Sequence, residues 1–544
     1  MALAPDIPGI DLVSFCIGAS KANAESADTL AYYDIDTHES LTFGQLETLC
    51  WQVGSGLSNR LHVGPGDMVA VFAANCVQYA AVFFGVVSTG AACCTLSTTL
   101  SAAELARCVD DCAAKALVVG PEQIPQVQRA LDAGLLRLAS LAIFVLAKGR
   151  DPPPPSMTPF SALLCSAPYD RCVFNDADKA ASTPAAVLYS SGTADLPKPV
   201  LLSHCNVVAA LTITAAASLR YARTWPQRYL AILPFAHVFG LDSQIITSVA
   251  GGRTQFLMRN YTVDGFLRAI QEHRIEVAFV VPSVLGQIAN HSSLEQYDLS
   301  SLQLLTAGGS PVPRDIHARI IERLGVEVVI GYGLTETCSG ICAAVDGRSV
   351  TGSVGSVKAG TEVKIVDPET GRDVGAGEQG EVCVRGPTVM MGYLNRPDET
   401  KRAIDRAGFL HTGDIGHFSA EGHLFITDRS KDLIKYKGMQ VAPAELEGLL
   451  MGHPLVVDAA VIGIEDRARA TEVPLALVVP KGPAAAKYEG LGHTLDAWVA
   501  ARVADYKRLR GGVVLVDHIP RNQAGKILRR ELRAQYAARS RIKL

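Results

Sequence analysis

Short β-branched runs alternate with helical patterns along most of the chain, and that alternation limits what it can fold into. The runs fall at residues 68–73, 116–119, 141–146, 185–189, 228–233, 277–281 and 326–330. Strands spaced by helices favour parallel sheets covered by helices on their faces. From residue 361 the pattern changes to short strands with glycine turns, as in 380–386, and after residue 428 a compact βα tail carries more charge. At 544 residues the chain exceeds what one hydrophobic core usually supports. The expectation is therefore a multi-domain α/β protein. A large N-terminal part, residues 1–428, would hold mixed sheets flanked by helices plus a small β-barrel-like region. A small, mobile α+β domain, residues 429–544, would follow. The proline-rich stretch at 151–157 lies between two strand–helix units and is expected to be an exposed loop.

One stretch could mislead. No charged residue occurs from 68 to 103, long enough to suggest a membrane span. Asn75, Gln78, Gly85, Gly90 and Ser97-Thr98-Thr99 interrupt it, however, so a buried strand, helix and second strand are expected instead. The N-terminus shows no basic, apolar secretory pattern. A net charge of −4 gives no basic field, which argues against nucleic acid as a partner. Thirteen cysteines without paired metal spacing read as reduced thiols of an intracellular protein. A cytoplasmic location is expected. The C-terminal Ile542-Lys543-Leu544 is only loosely like a peroxisomal address, because Ile542 stands where a small residue is wanted.

Several strings carry chemistry. The charge-dense segment 428–447 contains Lys431, Lys435, Lys437, Gly438 and Gln440, and polar residues so closely spaced rarely build a core. It reads as a place where two parts of the protein meet around an anion. Ser190, Ser191, Gly192, Thr193 and Lys198 follow a strand and can offer N–H, hydroxyl and ammonium donors to a polyphosphate. Gly331, Tyr332, Gly333, Thr335 and Glu336 follow another strand. There the glycines let a flat ring come close, Thr335 can donate to phosphate, and Glu336 can hold Mg²⁺. Asp414, after Gly413, can accept from two ribose hydroxyls. His237 stands in an apolar setting, and Lys526 in Asn-Gln-Ala-Gly-Lys suits a turn tip delivering one ammonium. Basic residues such as Arg529 and Arg530 would otherwise form only a solvated surface.

These strings, in this order, resemble the adenylate-forming superfamily of acyl-CoA synthetases, coumarate-CoA ligases and beetle luciferases. The resemblance covers nearly the whole chain. It implies ATP, Mg²⁺ and CoA as cofactor and co-substrates, and a reaction in two halves. A carboxylic acid, aryl or fatty, would first become an acyl-adenylate with release of pyrophosphate. The acyl group would then pass to CoA with release of AMP. By residue, it implies adenine at Tyr332 and Gly333, ribose at Asp414 and Arg429, and Mg²⁺ at Glu336 and Thr193. The acyl carboxylate would lie near His237, with Gly309 and its neighbours shaping the pocket. Lys526 would serve the first half, bridging carboxylate and α-phosphate. After rotation about Lys431, Lys435, Lys437, Gly438 and Gln440 would serve the second. Monomer is the favoured state, with oligomerisation open.

The phosphate loop departs from the family pattern at Ala194, Asp195 and Pro199. Asp195 sets a carboxylate near phosphates and Pro199 removes a donor. That leaves as one alternative a binding relative with reduced or no catalysis; a second, independent of the loop, is a luciferase-type monooxygenase, which oxidises an adenylate instead of passing it to CoA and needs a particular substrate more than a distinct motif. An amino-acid-activating domain is disfavoured, since no carrier-domain serine motif follows Lys526 and Asp242 is weak evidence for an amine contact.

Overall fold

The computed structural model describes residues 4–136, 141–146, 152–190, 197–217, 227–344, 350–429, 431–437, 439–466, 471–482, 490–522 and 525–536. Ser191, Gly192, Thr193, Asp195, Gly438 and the C-terminal Ile542-Lys543-Leu544 lie outside the described residues.

Every apolar run singled out above lies in a strand, and the strands form two large sheets. One is eight-stranded, in the order Gly392–Tyr393, Lys198–Ser203, Pro184–Ser190, Ala92–Thr95, Met68–Phe72, Ala116–Val119, Ala142–Val145, Thr158–Pro159. Its interior is parallel, and Lys198–Ser203 turns it antiparallel at one side. The other is seven-stranded, in the order Glu327–Ile330, Leu304–Ala307, Val277–Val280, Arg228–Ala231, Thr254–Leu257, Leu30–Asp34, Ser40–Thr42. The uncharged segment resolves as strand Met68–Phe72, helix Tyr79–Ser88 and strand Ala92–Thr95, with Val69 paired to Cys93 in parallel. All ten helix residues are buried, because the crossover lies between a sheet and other helices. No helix among the described residues is long and apolar enough to cross a membrane.

The barrel-like region expected after residue 361 is a four-stranded antiparallel sheet of Glu362–Val366, Gly380–Arg385, Leu410–Phe418 and Leu424–Arg429. Beyond it, the hairpin Ile434–Tyr436/Met439–Val441, the helix Pro443–Met451 and the sheet of Val456–Asp466, Thr471–Pro480 and Gly512–Leu515 form an α+β unit. Its core contains Leu446, Leu450, Val461, Leu491 and Leu495.

The charge-dense string departs from expectation. Asp428, Asp432 and Glu447 are 6%, 3% and 8% exposed and belong to the interior. Glu447 accepts from Arg529 Nη2 on both carboxylate oxygens, at 2.7 and 2.8 Å, and on Oε1 also from the Val461 N–H. Arg533 reaches Asp432 at 3.2 Å, and Asp428 accepts the Ala444 N–H in the first turn of Pro443–Met451. The physical reason is distance along the chain: the arginines that make these carboxylates tolerable inside arrive about a hundred residues later. Arg529 is thus a buried partner and not a solvated tail residue.

Candidate active site

The strands Leu304–Ala307 and Glu327–Ile330 run side by side in parallel, with Ala307 opposite Ile330. Their carboxyl ends open into a cavity of about 750 Å³. Ligands in open α/β sheets are held at that edge. The chain leaves the first strand through Gly308 and Gly309. Gly309 takes φ +89°, which a side chain would strain, and a Cβ on Gly308 would lie in contact with the Phe239 ring at 3.4 Å.

From the second strand the chain passes Gly331 into a hairpin of Tyr332–Leu334 and Ser339–Ala343. A Cβ on Gly333 would lie 1.9 Å from the Ser339 carbonyl oxygen, so the glycine is needed for the hairpin itself. At the turn, Thr337 Oγ1 accepts the Leu334 N–H at 2.9 Å. Thr337 therefore does the capping, and Thr335, buried, lines the cavity.

Around this hairpin the ribose-type residues form a connected set. Tyr332 donates its hydroxyl to Asp414 Oδ2 at 2.7 Å, and Arg429 Nε lies 3.1 Å from Asp414 Oδ1. Asp414 and Arg429 are register partners on the antiparallel strands Leu410–Phe418 and Leu424–Arg429. Behind them Glu381 accepts the Gly413 N–H at 3.0 Å and contacts His411 Nδ1 at 2.8 Å, fixing the backbone that carries Asp414.

Glu336 accepts the Tyr393 hydroxyl on Oε1 at 3.0 Å. A carboxylate so oriented, with its second oxygen outside that bond, is the hard oxygen donor that a magnesium ion requires. Tyr393 also lies beneath the Lys198 ammonium, which pairs with Glu399 at 2.7 Å. Lys198 sits at the start of a strand, and the ammonium that the sequence offers to a polyphosphate is held by Glu399. Ser190 closes the preceding strand and is buried.

His237 caps the short helix Val238–Gly240, its Nδ1 accepting the Phe239 N–H at 3.4 Å. Burial first, and the Lys526 charge second, lower its pKa to about 4, so the ring is neutral near pH 7. A neutral ring accepting at Nδ1 carries its proton on Nε2.

Lys526 reaches this cavity from the C-terminal unit. Its turn is closed by Asn522, whose Oδ1 accepts the Lys526 N–H at 2.9 Å, and a Cβ on Gly525 would touch Val281 at 3.0 Å. The turn thus lies directly on the N-terminal part. The Lys526 pKa is lowered to about 8, by burial first and Arg429 second, against the opposing charges of Asp414, Glu336 and Asp432.

Lys435, Lys437 and Gln440 lie elsewhere. They are exposed on the hairpin Ile434–Tyr436/Met439–Val441, where Lys435 N–H donates to Glu472 and Lys437 N–H to Thr471. Lys431 is also exposed. The structure therefore gathers Gly309, Tyr332, Gly333, Thr335, His237 and Lys526 around one cavity, with Glu336, Asp414 and Arg429 beside it. The second cationic set stays outside.

The family model described as AMP-binding enzyme matches residues 19–394, and that described as AMP-binding enzyme C-terminal domain matches residues 445–526. The chain belongs to the AMP-binding enzyme family. Within the family it is similar to 4-coumarate–CoA ligase 3 of Oryza sativa subsp. japonica, 34% identical over 518 residues, covering 93% of this chain and 89% of that protein. The benzoate CoA ligase from Burkholderia xenovorans LB400 superposes with a TM-score of 0.83 at 25% identity, covering 96% of this chain and 99% of the other. The anthranilate CoA ligase AuaEII, solved with anthranoyl-AMP, shares the fold at a TM-score of 0.85 and 24% identity, covering 100% of this chain and 99% of that one. The AMP-binding enzyme fold and its adenylate-forming acid–CoA ligase family are thereby established for this chain.

Sequence reasoning passed over Lys358, Tyr393 and Glu399, and gave Asp242 little weight. Tyr393 and Glu399 look like ordinary loop and helix residues, and only their meeting with Glu336 and Lys198 gives them a place. Lys358 lies in Gly355-Ser356-Val357-Lys358-Ala359-Gly360, a context that reads as an exposed turn, yet it is 6% exposed and lines the cavity.

Proposed function

We propose that the chain is an ATP-dependent acid–CoA ligase acting on an aryl or fatty acid, similar in activity to the 4-coumarate–CoA ligases. The observation that carries this reading is Lys526. Its ammonium enters the cavity of His237 and Thr335 and feels the charges of Asp414 and Glu336. That is where a cation is useful if a carboxylate oxygen is to attack a phosphorus atom.

In the first half, the acid's carboxylate oxygen forms a bond to the α-phosphorus of ATP, and the bond from that phosphorus to pyrophosphate breaks. Lys526 offsets the negative charge shared by carboxylate and α-phosphate as they meet. Neutral His237 orients the carboxylate through Nε2–H. Tyr332 and Gly333 receive the adenine, Asp414 with Arg429 the ribose, and Thr335 a phosphate oxygen. Ser190, Ser191, Gly192 and Thr193 would bind the leaving pyrophosphate, and Lys198 would join them on leaving Glu399. Glu336, together with Thr193, would hold Mg²⁺, which supplies charge neutralisation on the phosphate oxygens.

In the second half, residues 429–544 rotate as a domain about Lys431 against residues 1–428. This carries Lys526 away and brings Lys435, Lys437, Gly438 and Gln440 to the cavity. The CoA sulfur bonds to the acyl carbon, the bond from that carbon to AMP oxygen breaks, and the thiol proton leaves to solvent. The arrangement described here, with Lys526 in and Lys435 exposed, suits the first half.

Pyrophosphate release across a panel of aryl and fatty acids, with and without CoA, tests the reading. Release with at least one acid, followed by thioester with CoA, is expected. A folded protein that releases none with any acid overturns it. The pairing of Lys198 with Glu399 favours a second reading, a binding relative with weakened adenylation, which the same panel would reveal as acid and nucleotide binding without release.

A further inference from the structure

The strands Gly380–Arg385 and Leu410–Phe418 pair out of step beside Asp414. Cys383 lies opposite His411 and Glu381 opposite Ile415, so Val382 alone on one strand faces Thr412, Gly413 and Asp414 on the other. Such a bulge re-aims a side chain. Here it turns Asp414 toward Tyr332, with Gly413 at φ +71°. Glu381 and Cys383 alternate on one strand and so share a face, and His411 joins them from across. Their donor atoms meet at the foot of the bulge. His411 Nδ1 is 2.8 Å from Glu381 Oε2 and 3.5 Å from Cys383 Sγ, and all three atoms lie within 4.8 Å of one another.

A thiolate and an imidazole suit a borderline-soft divalent ion, and a carboxylate oxygen completes three ligands, leaving a fourth position for water. A tetrahedral zinc ion sets nitrogen and sulfur about 3.6 Å apart, and nitrogen and oxygen about 3.4 Å apart. The first separation is met, and the second asks Glu381 Oε2 to withdraw by roughly half an ångström. Glu381 keeps its other oxygen on the Gly413 N–H, so the bulge stays supported. The far side of the imidazole is also furnished. His411 Nε2 faces Asp405 Oδ2 at 3.8 Å, and Asp405 Oδ1 is fixed by the Ala407 and Phe409 N–H groups. With the ring proton on Nε2, toward Asp405, Nδ1 is free to ligate, and a carboxylate so placed orients a ligating histidine. The cations nearby are matched, Lys364 by Asp373 at 3.1 Å and Arg385 by Glu362 at 2.6 Å. Cys383 is buried, while Glu381 and His411 are partly open to solvent and give an ion a way in.

We propose that Glu381, Cys383 and His411 form a site for one zinc-class ion, which ties the two strands together at the foot of the Asp414 bulge. The ion takes the place of the Cys383 thiol proton, which leaves to solvent, and bonds once to each of the three side chains. It is distinct from the magnesium proposed for Glu336, which is a hard ion held by oxygens. Without an ion, the same residues amount to a hydrogen-bonded His411–Glu381 pair beside an idle thiol. The inference needs neither ATP nor acid, so it stands or falls apart from the ligase reading.

The test uses the full-length protein, stripped of metal with a chelator and kept reduced with a phosphine, and takes Co²⁺ and Zn²⁺ as probes. Co²⁺ should give thiolate-to-metal charge-transfer absorption together with the strong visible bands of a four-coordinate ion. Zn²⁺ should bleach both, and excess Mg²⁺ should leave them. Cys383→Ser should abolish the charge-transfer band. It should also weaken calorimetric zinc affinity by about a hundredfold or more, since even the groups behind a ligand are worth about ten- to a hundredfold. The melting temperature of the unaltered protein should rise with free Zn²⁺, and that of Cys383→Ser should not. Absence of the charge-transfer band in the unaltered protein overturns the inference. So does displacement of Co²⁺ by Mg²⁺ as readily as by Zn²⁺, or a band unchanged in Cys383→Ser. Where Cys383→Ser fails to fold, His411→Gln, at a partly open position, carries the same comparison: loss of the four-coordinate bands supports the site, and their persistence overturns it.

Discussion

The Tyr332 hydroxyl donates to Asp414 Oδ2 at 2.7 Å, joining a hairpin on one sheet edge to a strand of the small antiparallel sheet. The bond holds two groups proposed for the two ends of one nucleoside at a fixed separation. Tyr332→Phe keeps the ring but removes this charge-assisted bond, worth about 1.5–3 kcal/mol. The KM for ATP should rise about tenfold, with the melting temperature little changed, as read from pyrophosphate-release kinetics and thermal unfolding.

Gly333 has no room for a methyl group beside the Ser339 carbonyl oxygen. Gly333→Ala should therefore open the hairpin that carries Tyr332 and Thr335. Loss of nucleotide binding by calorimetry is expected, with the global fold kept by circular dichroism. Unchanged ATP affinity would show that the hairpin shifts without consequence.

Lys526 and Lys435 occupy opposite situations, one in the cavity and one exposed. Lys526→Ala should lower acyl-adenylate formation by roughly a hundredfold or more, on the scale of losing a donor aimed at developing charge. It should leave thioester formation from supplied acyl-adenylate nearly intact. Lys435→Ala should do the reverse. Separate assays of the two halves read this directly.

The pKa of Lys526, lowered to about 8, gives the pH dependence a sign. The ammonium is the useful form, so kcat/KM for pyrophosphate release should fall as pH rises through about 8. Lys526→Arg should abolish that alkaline limb, because a guanidinium stays charged. His237 is neutral down to about pH 4. It should therefore add no limb near 6.5, and His237→Gln should lower the rate without changing the profile between pH 5 and 9.

Glu447 and Arg529 test the C-terminal core. Removing one partner of a buried pair leaves the other charge unmatched, at a cost of about 3–5 kcal/mol. Glu447→Ala should lower the urea midpoint of the C-terminal unit accordingly, whereas Glu421→Ala, at an exposed turn, should not.

Periodicity was a reliable guide wherever burial is on both faces. The strands at 68–72, 116–119, 277–280 and 327–330 are legible as short β-branched runs because parallel strands covered by helices must be apolar throughout. The uncharged segment gave up its strand–helix–strand plan to three or four polar interruptions. Polar residues were less legible. Asp428, Asp432 and Glu447 look like surface charge until Arg529 and Arg533 are seen beside them. Lys198 reads as a free cation until Glu399 meets it.

By itself, then, the sequence determined the alternation of strands and helices, the order of its functional strings and the family to which they belong, all of which depend on local spacing and residue type. Tertiary structure alone decided that Lys526 enters the cavity while Lys435 is exposed, that Asp414 is shared by Tyr332 and Arg429, and that Lys358 and Asp242 line the same cavity. These are contacts between residues tens to hundreds of positions apart. Whether a charge is buried, paired or accessible depends on what the rest of the chain brings to it, and no local pattern records that.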